Sequence, residues 1–246
     1  MSDGKYAFEK SKIIHGDCLV EMQNIPDGSI DMILADLPYG TTQNKWDSII
    51  PLDELWKQYK RIVKDDGAIV LTAMQPFTSN LILSNKKEFK YCWYWKKNRA
   101  TGVLNAKKQP LRNIEEVCVF RVKKYKPQGL VEYNKPSRNG KKDSPNYGKG
   151  KTNSYTQKWT NYPTQLLMFD SVQRVVHPTQ KPTELFEYLI KTYTNEGDII
   201  LDNVAGSGTT GEACVNLNRD FILIEKELNY YEIIKERLGN FKNILV

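Results

Sequence analysis

Hydrophobic positions along this chain switch between strand-like runs and helical spacing, and the switching divides the sequence into three parts. In the first third, "KIIHGD" (12–17) has the length of a short strand, and "CLVEMQNI" (18–25) suits a helix closed by the turn Pro26-Asp27-Gly28. "SIDMILAD" (29–36) reads as a buried strand, apolar from Ile30 to Ala35 and ending on Asp36. From Pro51 to Lys64 the residues Leu52, Leu55, Trp56, Tyr59 and Ile62 recur at helical spacing, and Asp66-Gly67 stops the pattern. "GAIVLTA" (67–73) predicts another buried strand, "PFTSNLILSN" (76–85) a helix and "YCWYWKK" (91–97) a strand.

The last third repeats the alternation. "TELFEYLIKTYT" (183–194) is an amphipathic helix starting at Pro182 or Thr183, and "GDIILDN" (197–203) is a strand. "GSGTTGEACVNLN" (206–218) is a glycine-rich turn running into a helix, "DFILIEKE" (220–227) a strand and "NYYEIIKERL" (229–238) a closing helix. Strands alternating with helices predict an α/β fold, a doubly wound and mostly parallel sheet covered on both faces. The middle differs. Residues 123–163 are rich in Lys, Asn, Ser, Gly, Pro and Tyr and show no clear period, which predicts a loop-rich insertion. The expected division is a body made of residues 1–97 and 175–246 and an insertion over 98–174.

Charge sharpens that division. The net charge is +7, but Lys96 to Arg174 holds 18 Lys/Arg against 5 Asp/Glu, while the remainder holds 18 against 24. A mildly acidic body carrying a strongly basic insertion points to a polyanion partner, with nucleic acid favoured over a merely solvated segment. The 246 residues suffice for a substantial core. No apolar run approaches the roughly 20 residues a membrane span needs, and "MSDGKYAFEKSK" is no secretory signal, so a cytoplasmic protein without membrane attachment is expected. Cys18, Cys92, Cys118 and Cys214 are widely spaced, and His15 and His177 are the two histidines, so buried free thiols and no metal site are expected.

Two short stretches carry the chemistry. Gly206 and Gly208 follow directly on the strand ending at Asp202, where glycine lets the backbone bend and approach a ligand. Glu225 ends the next strand, and in doubly wound sheets an acid about 20 residues beyond the glycine strand holds ribose hydroxyls. Strand, turn, helix and acid together predict a nucleoside cofactor; no Gly-Lys-Ser/Thr follows, so this is not a P-loop. The other stretch is Asp36-Leu37-Pro38-Tyr39. In open parallel sheets ligands bind beyond the carboxyl ends of the strands. There a carboxylate and the Leu37 carbonyl can take the two N–H groups of an amine while the Tyr39 ring lies against a flat heterocycle. A nucleobase fits that arrangement.

These residues resemble the amino-group DNA methyltransferases that use S-adenosylmethionine. Asp36-Leu37-Pro38-Tyr39 matches their Asp/Asn/Ser-Pro-Pro-Tyr, and Asp202-Asn203-Val204-Ala205-Gly206-Ser207-Gly208 matches their Asp-Pro-Phe-x-Gly-x-Gly. The catalytic motif precedes the cofactor motif with the basic segment between, and "HPTQKP" (177–182) lies just ahead of the glycine turn; both features resemble the beta class. "DLPYGTTQNKWD" and "QPFTSNLILSN" resemble a phage-associated branch. Leu37 and Val204 depart from the family, replacing a proline and an aromatic, but neither change removes a polar group.

The resemblance implies a Rossmann-like methyltransferase sheet and direct methyl transfer to the N6 of an adenine flipped out of duplex DNA. An N4-cytosine enzyme or a non-catalytic DNA-binding relative are the alternatives, and RNA or a protein amide is a further substrate class. It implies catalytic roles for Asp36, Leu37, Pro38 and Tyr39. Cofactor contacts fall on Asp17, Cys18, Asp36, Thr179, Lys181, Asp202, Asn203, Val204, Ala205, Gly206, Ser207, Gly208, Thr209, Glu225 and Lys226. The basic segment becomes the target-recognition region, with Arg99, Lys107, Lys108, Arg112, Lys123, Lys124, Lys126, Arg138, Lys141 and Lys142 as DNA contacts. A homodimer and a cognate restriction nuclease are implied partners. All of this requires the two turns, after Asp36 and after Asp202, to face one pocket.

Overall fold

Strands that are apolar on both sides must be covered on both sides, and that requirement organises the molecule. The computed structural model describes residues 8–40, 47–138, 154–172 and 180–239. Along the chain run β1 (Lys12–His15), α1 (Cys18–Glu21), β2 (Ile30–Asp36), α2 (Leu52–Ile62), β3 (Val63–Ala73), α3 (Phe77–Ser84), β4 (Phe89–Thr101) and β5 (Arg112–Phe120). Then follow β6 (Val131–Arg138), β7 (Ser154–Thr160), β8 (Leu166–Met168), α4 (Thr183–Tyr193), β9 (Ile199–Asp202), α5 (Thr209–Asn216), β10 (Asp220–Glu225) and α6 (Leu228–Leu238).

Eight strands form one sheet in the order β1-β10-β9-β2-β3-β5-β4-β8. The first five are parallel; β5 runs antiparallel to β3 and β4, and β8 is parallel to β4. Side chains alternate across β2 as the strand period demands. Met32 and Leu34 pack with Leu185 and Leu189 of α4, Ala213 of α5 and Ile234 of α6. Ile33 and Ala35 pack on the other face with Leu55 and Tyr59 of α2 and Phe77 of α3. This is the doubly wound, mostly parallel α/β sheet the periodicity predicts.

The strand order explains where a ligand can sit. From β2 the chain moves through α2 to β3 on one side, and from β9 it moves through α5 to β10 on the other. Because β2 and β9 are neighbours, their outgoing turns part over opposite faces and open a crevice at the carboxyl ends, the topological switch point of such sheets. At the other end of the same pair, buried Asp31 accepts from Lys64 Nζ at 2.7 and 2.8 Å and from the Ile199 backbone N–H at 3.0 Å, which fastens β2 to β9.

The insertion is narrower as a packing unit than the expected 98–174. The end of β4, all of β5 and β8 belong to the central sheet, since Cys118, Val119 and Phe120 pair with both β3 and β4 and are fully buried. Residues Pro127–Thr164 form a unit of their own. Its described residues add regular structure that the sequence pattern does not announce. It holds the antiparallel hairpin β6–β7, with a register shift between Glu132 and Lys135 where Asn134 takes a positive φ of 47°. Its strands are exposed on both faces, Tyr133, Tyr155 and Trp159 included, so no apolar alternation marks them.

All four cysteines are free and buried. Cys92 and Cys118 face each other across β4 and β5 with their sulfurs 3.7 Å apart. Among the described residues no helix is long and apolar enough to cross a membrane.

Candidate active site

Asp36 is the last residue of β2 and Asp202 the last of β9, so their turns leave the sheet side by side. Both turns line one cavity of about 930 Å³. That is near the top of the roughly 300–1,000 Å³ range of ligand pockets, enough for two ligands in contact. The single pocket that the paired motifs require is therefore present.

One half of the cavity is built on the glycine turn. Gly206 and Gly208 have φ of 54° and 82°, and a side chain on Gly208 would meet Ile234 at 3.2 Å. The sharp bend lets the turn fold back on Glu225, whose Oε2 accepts the Gly206 N–H at 2.7 Å while Oε1 accepts the Glu227 N–H at 2.7 Å. Asp202 accepts the Val204 N–H at 3.1 Å and the Thr210 hydroxyl. Burial pushes Asp202 up to about 7, with the Asp36 and Glu225 charges adding to the effect, and burial likewise raises Glu225. Asp17 caps α1 by accepting the Leu19 N–H at 3.0 Å and pairs with the exposed Lys226 at 3.1 Å. Tyr59 donates to Asn203 Oδ1 at 2.6 Å and so fixes the residue that stands where the family has proline. Cys18, Val204, Ala205, Ser207 and Thr209 also line this half. Asp202 and Glu225 are held by backbone N–H groups and a hydroxyl rather than by a cation, and both line the cavity.

The other half is built on the Asp36 turn. The Tyr39 hydroxyl donates to Asp36 Oδ1 at 2.7 Å and lies 3.1 Å from the Thr72 hydroxyl, which itself donates to Oδ1. Thr72 is the register partner of Asp36 on β3, so sheet pairing sets this contact. The Tyr39 ring stacks on Phe77, centroids 5.4 Å apart. Burial, then the Asp36 and Glu115 charges, raise the Tyr39 phenol well above its ordinary value and keep it a neutral donor. Lys181 Nζ reaches Asp36 Oδ2 at 2.6 Å and Glu115 Oε2 at 3.4 Å, and Lys97 Nζ pairs with Glu115 Oε1. Burial alone would lower the Lys181 ammonium's pKa, but the Asp36 and Glu115 carboxylates outweigh it and raise the value.

The resemblance implies a cofactor contact for Lys181; in the structure it lines the shared cavity and pairs with Asp36 and Glu115. Thr179 lies outside the described residues. The basic candidates divide. Arg99 lines the cavity, and Lys107, Lys108 and Arg112 stand exposed along the β4–β5 connection at the same edge of the sheet. Lys124 and Lys126 are drawn to the opposite edge, Lys124 onto Asp66 at 2.7 Å and Lys126 onto the Thr194 carbonyl at 3.1 Å. Lys123, exposed, belongs to that same segment. Arg138 ends β6 in the other unit, and Lys141 and Lys142 lie outside the described residues.

Sequence reasoning missed Thr72, Lys97, Glu115 and Tyr59. Glu115 did leave a signal, because it is one of only 5 acids in the basic stretch and sits beside an apolar run. Thr72 left none, since its role comes from strand register.

With this geometry in place, comparison with known proteins is decisive. The family model described as "DNA methylase", covering N6 and N4 enzymes, matches residues 30–236. The chain belongs to the DNA methylase family. It is 31% identical over 261 residues to the DNA adenine methyltransferase YhdJ of Escherichia coli (strain K12), with 95% of this chain and 84% of that protein covered. It is 26% identical to the type II methyltransferase M.HpaI of Haemophilus parainfluenzae, with 93% and 74% covered. Among solved structures the M1.HpyAVI–SAM complex matches this methylase with a TM-score of 0.63 and 26% identity, over 93% of this chain and 99% of that one.

Proposed function

We propose that the chain moves a methyl group from S-adenosylmethionine to the exocyclic N6 of an adenine in duplex DNA. One observation carries the reading: the amine-accepting turn at Asp36 and the glycine turn at Gly206–Gly208 line the same cavity. The relatives' names favour adenine, and the acid-rich half of the cavity suits a cofactor whose sulfonium and ammonium groups leave it cationic. When bound, the cofactor supplies an activated methyl group.

The chain's own part is alignment and charge. An exocyclic amine is a poor nucleophile because its lone pair is delocalised into the ring. Asp36 and the Leu37 carbonyl take its two N–H groups, which turns the lone pair out of the ring plane. As positive charge grows on the nitrogen, the Asp36 carboxylate stabilises it in a site that the docked base closes to water. Tyr39 and Thr72 fix that carboxylate from the Oδ1 side. The target atom lies inside a stacked duplex, so the base must swing out, at a cost of a few kcal/mol offset by stacking in the pocket. Arg99, Lys107, Lys108 and Arg112 form the basic rim that meets phosphates.

Incubation with labelled cofactor and DNA, followed by digestion, is expected to yield N6-methyladenine. N4-methylcytosine would move the assignment to the other amine, and no label on any DNA by folded, cofactor-binding protein would overturn it. The homodimer and the cognate nuclease implied by the resemblance belong to the same proposal and are tested by sedimentation and by challenge of methylated DNA with a nuclease specific for the mapped site.

A further inference from the structure

The Asp36 carboxylate is already engaged. Oδ1 accepts from Tyr39 and Thr72, and the Lys181 ammonium sits 2.6 Å from Oδ2. Three of a carboxylate's roughly four acceptor positions are therefore filled. A cation at this place also works against the reaction, because the amine nitrogen acquires positive charge during transfer and two like charges a few ångströms apart in a dry pocket repel strongly. Some feature of the site has to take the ammonium away.

Glu115 has the properties required. It is 7% exposed, projects from β5 into the cavity, and holds Oε2 3.4 Å from Lys181 Nζ. That oxygen is buried and has no hydrogen-bond partner among the described residues, while Oε1 is anchored by Lys97. A small rotation of the Lys181 side chain converts the long contact into a charge-assisted hydrogen bond and releases Oδ2 of Asp36. The Tyr39 ring, 5.9 Å from Nζ, borders the path.

We propose that docking of the base passes the Lys181 ammonium from Asp36 to Glu115, which makes Glu115 a positioning residue that clears the amine acceptor for transfer. The proposal rests on the amine-transfer reading above. It gives the four charged groups distinct duties: Asp36 receives the amine, Lys181 holds that place beforehand, Glu115 is the landing site, and Lys97 keeps Glu115 aimed.

The test is a double-mutant cycle on the full chain, read by single-turnover methyl transfer on duplex DNA containing the site mapped from expressing cells. Cofactor affinity and thermal melting are measured alongside. Glu115→Gln is expected to slow transfer about 30-fold while cofactor affinity stays within about twofold, because the ammonium is stranded on Asp36. Lys181→Met added to Glu115→Gln is expected to restore part of the rate, at least about fivefold, because the stranded cation is gone. A double variant as slow as or slower than Glu115→Gln would overturn the exchange, and so would a rate recovery that merely follows a recovery of the melting temperature, since contacting charges couple through stability alone. If Glu115→Gln lacks a cooperative melt, Glu115→Asp is read against the same Lys181→Met background with the same criterion. Failure of the parent reading is distinguishable, because there the unaltered protein transfers no methyl group at all.

Discussion

Two sets of acids line one cavity at the carboxyl edge of one sheet and are satisfied in opposite ways. Asp202 and Glu225 are held by backbone N–H groups and a hydroxyl, and burial raises both. Asp36 and Glu115 are interleaved with Lys181 and Lys97, so that cluster is neutral. On the proposed reading the difference matches what each half would hold. A cationic cofactor gains from acids that no lysine neutralises, because its own charge then favours their ionised form. A neutral base that becomes charged only during the reaction gains from a carboxylate whose countercharge can be moved.

The largest expected effect breaks the neutral cluster at its centre. Asp36→Ala is expected to lower transfer by at least about 10²–10³-fold, with cofactor affinity within about threefold; activity within a few-fold of the parent would remove Asp36 as the amine acceptor. At the other cluster the expected split reverses. Glu225→Gln cannot accept both backbone N–H groups, and calorimetry is expected to show cofactor affinity about tenfold weaker, about 1.4 kcal/mol, while the rate at saturating cofactor changes little. An equal drop in both quantities would erase the distinction between the clusters.

A third prediction uses pH. Asp202 has a folded pKa of about 7 against 3.8 for an ordinary aspartate. The folded chain therefore keeps a proton there that the unfolded chain has released. The associated stability is complete below about pH 4 and disappears as pH rises to 7. Melting curves of Asp202→Asn and the parent, taken from pH 4 to 8, should move apart in favour of the variant as pH rises; parallel curves would place the Asp202 carboxylate in an unperturbed setting. The smallest effect concerns the rim. Lys107→Ala with Lys108→Ala should flatten the dependence of DNA affinity on salt by about 0.9 in log–log slope for each phosphate no longer neutralised. Lys124→Ala, at the far edge beside Asp66, should leave the slope unchanged.

Sequence alone made much of this legible, for a physical reason. Buried parallel strands such as Ile30–Asp36 and Asp220–Glu225 must be apolar on both faces, and helices such as Leu52–Ile62 must carry an apolar stripe, so both write themselves into the pattern. The paired motifs located both turns. What stayed hidden depends on long-range pairing or lacks burial. β6 and β7 are exposed on both faces and leave no alternation to read. Thr72 meets Asp36 only because β2 and β3 align in one register. The partners of Lys181, Asp36 on β2 and Glu115 on β5, are likewise not revealed by its place in "HPTQKP".

The pairing of β2 with β9 has a consequence during synthesis. Asp31 and Ile199, joined by a hydrogen bond, are 168 positions apart. A ribosome that has released only the first two thirds of this sequence has exposed the Asp36 turn but not the glycine bend that lines the same cavity. β9 and β10 lie between β1 and β2, so the shared cavity is complete only once these late strands have entered between two early ones.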